Sequence, residues 1–104
     1  KEPIARKFTL RYLLVAQDDL IFIFDFIAQD SPSRALSFVE KLDERIGLLE
    51  QHPLLGRTPR HPKLREYGYR VLIIEAYLVF YIVRGQDIEI HRVVHGSRNL
   101  NHLI

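Results

Sequence analysis

Residues 69–100 read YRVLIIEAYLVFYIVRGQDIEIHRVVHGSRNL, three runs rich in Val, Ile, Leu, Tyr and Phe separated by Glu75-Ala76 and by Arg84-Gly85-Gln86-Asp87. Apolar runs of strand length broken by two- to four-residue turns predict an antiparallel meander. The middle run, Tyr77 to Val83, is apolar on both alternating sets, with Tyr77, Val79, Tyr81 and Val83 on one and Leu78, Phe80 and Ile82 on the other. Such a strand requires cover on both faces of the sheet. The third run ends in His91, Arg92, His95, Gly96, Ser97, Arg98 and Asn99, so the sheet delivers a polar, partly cationic group to one rim.

Working outward, Lys7 to Leu14 alternates Phe8, Leu10 and Tyr12 against Lys7, Thr9 and Arg11, the pattern of a half-buried strand at or near the sheet edge. The period then changes. Over residues 15–29, Ala16, Leu20, Ile23, Phe24 and Ile27 form a helical stripe opposite Asp18, Asp25 and Gln29, but Ile21, Phe22 and Phe26 widen the apolar arc. An arc wider than one small core needs implies that part of it meets a second helix or another chain. Asp30-Ser31-Pro32 places a cap residue before a proline suited to the first helical position. A second helix follows, with Ala35, Phe38, Val39, Leu42, Ile46 and Leu49 at helical spacing, and Pro53 with Gly56 ends it. The short link makes the two helices an antiparallel hairpin. Residues 52–68 then read as a loop punctuated by Pro53, Pro59 and Pro62. The predicted architecture is α+β: an N-terminal strand, then an antiparallel helical hairpin packed on one face of a mainly antiparallel sheet, which a C-terminal three-stranded meander completes.

The 104 residues suit one domain over 1–104, and 47% hydrophobic with 27% charged residues suits a soluble globular protein. No apolar run reaches membrane-span length and KEPIARKF lacks the apolar stretch of a signal peptide, so the cytoplasm is the expected location, with no membrane partner. Cysteine is absent, which removes disulfides, thiolate metal sites and a cysteine nucleophile. No histidine pair has zinc-site spacing, so neither a metal nor a cofactor is expected. Net charge is +2, but residues 15–30 carry −4 and residues 56–73 carry +4 through Arg57, Arg60, Lys63, Arg65 and Arg70 against Glu66. A basic segment of this kind suits phosphate or an acidic protein surface.

The strings DDLIFIFDFIAQDSP, ALSFVEKLDERI, HPLLGRTP, LREYGYRVLI, YLVFYIV and IEIHRVVHGSRNL, in this order, resemble the RelE/ParE superfamily of bacterial type II toxins from about Phe8 to Leu100. The resemblance implies a toxin neutralised by a cognate antitoxin, in a toxin–antitoxin hetero-oligomer that can serve plasmid stabilisation. It also implies one of two targets, the ribosome with its mRNA or DNA gyrase.

Ribonuclease chemistry needs a base for the attacking hydroxyl, cations at the phosphate and an acid for the leaving oxygen. His91, His95 and His102 are the titratable candidates, Arg70, Arg92 and Arg98 the phosphate holders, and Tyr81 a stacking or donating group. The ribonuclease relatives, however, carry an Arg beside the Tyr that opens the middle meander strand, where this chain has Leu78, and a catalytic Tyr or His at the extreme C-terminus, where it has Asn101-His102-Leu103-Ile104. The ending Val-Val-His-Gly-Ser-Arg-Asn-Leu, residues 93–100, is more similar to ParE. In that branch His95 fixes the turn after the last strand, Gly96 allows a tight backbone and Arg98 lies over the sheet.

The favoured expectation is a gyrase inhibitor acting by contact rather than catalysis. Arg57, Arg60, Lys63, Arg65, Arg92 and Arg98 are expected at the target, and Ile21, Phe22 and Phe26 at the antitoxin. A ribosome-dependent mRNA endonuclease is the first alternative and a non-catalytic RNA-binding module the second. A Ser-His-Asp hydrolase is disfavoured because Ser97 lacks the G-x-S-x-G elbow.

Overall fold

The computed structural model describes residues 7–97. Strand β1 (Thr9–Tyr12) leads into helices α1 (Leu14–Ala28) and α2 (Pro32–Gly47) and a 3-10 turn, Leu48–Glu50. A short helix α3 (Pro62–Glu66) precedes strands β2 (Arg70–Ile74), β3 (Tyr77–Arg84) and β4 (Asp87–His95). The sheet order is β1-β4-β3-β2. The meander is antiparallel throughout, and β1 lies at the edge, parallel to β4, with Leu10 opposite Ile88 and Tyr12 opposite Ile90. The predicted α+β architecture is the observed one.

Local chemistry accounts for the boundaries. Ser31 accepts a hydrogen bond from the Arg34 amide at 3.3 Å and Pro32 opens α2, which satisfies one of the orphan donors of the first turn. The β3–β4 turn is closed by the Arg84–Asp87 pair, with Gly85 at φ +59°. The β2–β3 turn instead puts Glu75 at φ 53°, a conformation non-glycine residues seldom adopt, and the Lys41 ammonium of α2 pairs with its carboxylate.

The helix pair covers one face of the sheet, with Leu42, Ile46, Leu49, Ile74, Val79, Tyr81, Ile88 and Ile90 fully buried between them. The second cover that β3 requires comes from within residues 52–68, which hold α3 as well as loop. Leu64 of α3 closes on Val71, Phe80 and Val94, with Tyr69 and Leu78 beside them. Five residues that begin with a proline and run into Tyr67-Gly68 present too few apolar positions for a helical period.

One irregularity sets the rim. Phe80 pairs with Arg92 but Tyr81 with Ile90, so β4 carries an extra residue, a β-bulge at His91. Without it the alternation from Ile88 and Ile90 would turn Arg92 into the main core; with it Val93 takes that place, 1% exposed.

Candidate functional site

The first surface is on α1. Ile23 is buried and Ile21, Phe22 and Phe26 are 59%, 67% and 60% exposed, with Leu14 and Val15 exposed earlier on the same helix. Packing on β4 and α2 uses the stripe through Ala16, Leu20, Ile23 and Ile27, and Ile21, Phe22 and Phe26 beside that stripe are left to solvent. Asp18 and Asp25 are exposed among them. Between Phe22 and Phe26 on one side and Tyr77, Val93 and His95 on the other lies a cleft of about 320 Å³.

The second surface is the basic segment before β2, and buried side chains hold its shape. The Tyr81 hydroxyl donates to the Pro53 carbonyl at 2.8 Å and accepts from the Gly56 amide at 2.9 Å. A Cβ on Gly56 would lie 2.7 Å from that hydroxyl, so the close approach requires glycine. Arg70 donates to the carbonyls of Gly56 and Leu54, and Arg57 exchanges both backbone hydrogen bonds with Val71 at 2.8 Å. Arg65 donates to the carbonyls of Pro59 and Arg60. Arg57, Arg60 and Lys63 stay exposed, and among the described residues no carboxylate pairs with them.

The rim divides into separate roles. Arg92 donates to both oxygens of Asp19 at 2.8 and 2.9 Å, and the same carboxylate accepts from the Val93 amide at 2.8 Å. That hydrogen bond pushes the Arg92 pKa up. β1 pairs only Asp87 to Ile90, so Asp19 serves the stretch of β4 beyond the reach of β1. Arg92 is therefore anchored to α1 rather than gathered with Arg57, Arg60, Lys63 and Arg65.

His95 stands edge-on to Tyr77, and its Nδ1 accepts from the Ser97 amide at 3.1 Å and lies 2.9 Å from the Ser97 hydroxyl. It closes the turn after β4. Gly96 donates its amide to the Ala76 carbonyl at 2.8 Å. Arg98 and His102 lie outside the described residues.

His91 belongs to a cluster on the sheet face away from α1 and α2. Its Nε2 lies 3.1 Å from Glu89 and its Nδ1 2.9 Å from the Tyr69 hydroxyl. With Nε2 facing a carboxylate, a neutral ring keeps its proton there, and Nδ1 accepts from Tyr69. Burial raises the Tyr69 pKa, which holds the hydroxyl in its donating form. Glu89 also accepts from Arg84 and Arg11 at 3.0 Å; the Arg84 bond, then the His91 bond, lowers its pKa.

The structure thus brings together Arg57, Arg60, Lys63 and Arg65 on one segment and Ile21, Phe22 and Phe26 on another. It sets Tyr81 and Arg70 to holding the loop. The sequence reading missed Asp19, Glu89 and Tyr69. Glu89 and His91 sit two apart on a predicted strand, on one face of it, and that spacing was the available signal. Among the described residues no group of three or more His, Asp or Glu side chains is placed to hold a metal ion, and no helix is long and apolar enough to cross a membrane.

Comparison with known proteins agrees with this architecture. The chain is similar to a structure of the chromosomal ParDE toxin–antitoxin system from P. aeruginosa, at 26% identity and TM-score 0.73, over 86% of this chain and 97% of that one. It is similar also to a chain of the RelBE2 toxin–antitoxin complex from Mycobacterium tuberculosis, at 25% identity and TM-score 0.56, over 86% and 98%. A search of curated proteins finds no match. Residues 10–100 match the family model described as the ParE toxin of the type II toxin–antitoxin system parDE. The chain belongs to the ParE toxin family.

Proposed function

We propose that this toxin acts in the cytoplasm by binding DNA gyrase through its basic segment, with no catalytic group of its own, and that a cognate antitoxin silences it by covering α1. The observation that carries the antitoxin half is the exposure of Ile21, Phe22 and Phe26 on one helix, a patch that free monomers seldom leave uncovered. Similar chains come from the ParDE and RelBE2 systems named above, which supports an antitoxin as the cover.

The gyrase half is supported by where the cations are. Among the described residues no carboxylate pairs with the exposed Arg57, Arg60 and Lys63, while Arg70 and Arg92 hold backbone and Asp19. Tyr81, a candidate for stacking on RNA, is 0% exposed with its hydroxyl doubly bonded. A surface of free charges steers association and is weakened by salt.

Purified gyrase with relaxed plasmid and the toxin supplies the test. Supercoiling should fall and cleaved DNA should accumulate, and reversing Arg60 and Lys63 to Glu should slow binding about 10-fold without changing the melting temperature. Normal supercoiling with toxin well above gyrase would remove the gyrase reading. For the antitoxin half, Phe22→Asp should weaken the complex by about 1–2 kcal/mol or more, and unchanged affinity in a folded variant would place the antitoxin elsewhere.

The second reading, ribosome-dependent mRNA cleavage, has one observation in its favour: the Tyr69–His91–Glu89 chain aligns a hydroxyl, an imidazole and a carboxylate for proton transfer. Codon-specific cutting in a purified translation system, lost about 10²-fold in His91→Ala, would establish it.

A further inference from the structure

The sheet face away from α1 and α2 has a feature that free cations alone do not explain. Between the basic segment and the strands lies a pocket of about 220 Å³, with Leu64, Val71, Leu78 and Phe80 among its lining and Arg57 and Arg60 at its rim. Leu64, Val71 and Phe80 are 2%, 8% and 2% exposed, so the floor is fixed by the second core rather than by mobile surface side chains. The backbone groups of Val71 on this edge are both engaged by Arg57. The same two bonds fix the rim at Arg57 while its guanidinium stays in solvent.

The floor selects the occupant. A nucleotide would find cations for its phosphate, but its base would meet mainly the carbons of Pro59, Leu64, Val71 and Leu78 with His61 beside them, and Phe80 is too enclosed to offer a ring face for stacking. A base edge buried there would exchange its water for the His61 ring at most, and each polar group left over would cost roughly 1–3 kcal/mol. A hydrocarbon side chain loses nothing on entering, and carboxylates on either side of it would meet Arg57 and Arg60. An apolar anchor ringed by complementary charge is the arrangement that concentrates binding energy in protein interfaces.

We propose that this pocket receives an acidic linear segment of the target protein, in which one leucine- or phenylalanine-sized side chain enters the floor between carboxylates that pair with Arg57 and Arg60. The proposal rests on the reading that the basic segment faces the target, and it adds the chemistry of what is recognised.

The experiment is a methyl NMR titration of the full-length toxin with a blocked peptide holding one phenylalanine between pairs of glutamates. Parallel titrations use the same peptide with lysines for glutamates, the same peptide with glycine for phenylalanine, and a short single-stranded oligonucleotide. The acidic phenylalanine peptide should move the Leu64, Val71 and Leu78 methyls with a dissociation constant below about 1 mM. It should bind at least ~10-fold tighter than the lysine or glycine version, and lose that advantage in Arg57→Glu/Arg60→Glu. Equal binding of the lysine peptide, tighter binding of the oligonucleotide at the same methyls, or no response to any peptide overturns the proposal.

The supercoiling assay separates the two layers. If Arg57→Glu/Arg60→Glu loses gyrase inhibition and the peptide does not bind the wild type, the pocket inference fails and the target reading stands. If the peptide binds but that variant inhibits gyrase normally, the pocket is a peptide site and the target reading fails.

Discussion

The two faces of the sheet are built on different principles. Under the helix pair, Leu42, Ile46, Leu49, Ile74 and Ile88 are wholly enclosed in one continuous core. On the opposite face a five-residue helix closes Leu64 over Val71, Phe80 and Val94, and beside this small core lies a polar cluster centred on Glu89. The difference teaches where stability resides. A face that carries most of the buried apolar area can leave the other free to be shaped for contact. The largest effect should therefore come from the helix face: Leu42→Ala, at 0% exposure, should cost about 3–5 kcal/mol in urea unfolding. A loss under about 1 kcal/mol would mean that the seam collapses around the gap and that the contrast is overstated.

Leu64→Ala tests the smaller core in the same way. Its side chain is nearly as buried, 2% exposed, but it sits on a short helix that can settle inward, and large-to-small changes are cheapest where the site can relax. About 2 kcal/mol is expected. Because the residue floors the basic pocket, the variant should also lose target inhibition while holding the antitoxin as the wild type does. Equal weakening of both would mean that the two surfaces are not separate.

The strength of the sequence signal follows the same division. The helix face was legible because its elements are long and periodic: α2 and the 3-10 turn after it show one stripe from Ala35 to Leu49, and β3 declares itself by apolar residues on both alternations. The surplus apolar arc of α1 was legible too, since Ile21, Phe22 and Phe26 lie off the stripe that packs. The open face was not. Helix α3 has five residues and one buried side chain, Leu64, too little for a period. The bulge in β4 carries no glycine to announce it, yet it decides that Val93 enters the core and Arg92 turns toward Asp19. Charge counting could gather Arg92 with the other cations, but only the backbone register shows that Asp19 engages it.

Asp19 joins the two regions, since its carboxylate reaches from α1 to Arg92 and to the Val93 amide. Asp19→Ala removes three acceptor contacts and leaves a partly enclosed guanidinium and a backbone donor without them. The expected cost is about 1–3 kcal/mol, smaller than that of Leu42→Ala because water can reach part of the site. Amide exchange at Val93 should accelerate by more than at Ile88, deep in the same strand. Uniform acceleration along β4 would show that Asp19 supports global stability and not the end of the strand that β1 leaves uncovered.

The smallest effect should come from the polar half of the open face, and its pH dependence identifies it. Glu89 accepts from Arg84, His91 and Arg11, and the first two of these hold its pKa below the ordinary value of 4.5. A carboxyl whose pKa is lowered by folding contributes stability that is complete above the unfolded value and disappears as pH falls through the folded one. The side chains of Arg11 and Arg84 are 59% and 61% exposed, and pairs this open to solvent contribute roughly 0.2–1 kcal/mol each. Glu89→Gln keeps the shape of the side chain and removes the charge. At pH 7 the variant should be slightly less stable than the wild type, and the gap should close as pH drops well below 4.5, because the wild-type carboxyl then also becomes neutral. Urea midpoints at pH 7 and at several acidic pH values measure the gap directly. A gap of the same size at every pH would assign the effect to hydrogen-bond geometry, and the charge on this face would then be free to serve contacts outside the fold.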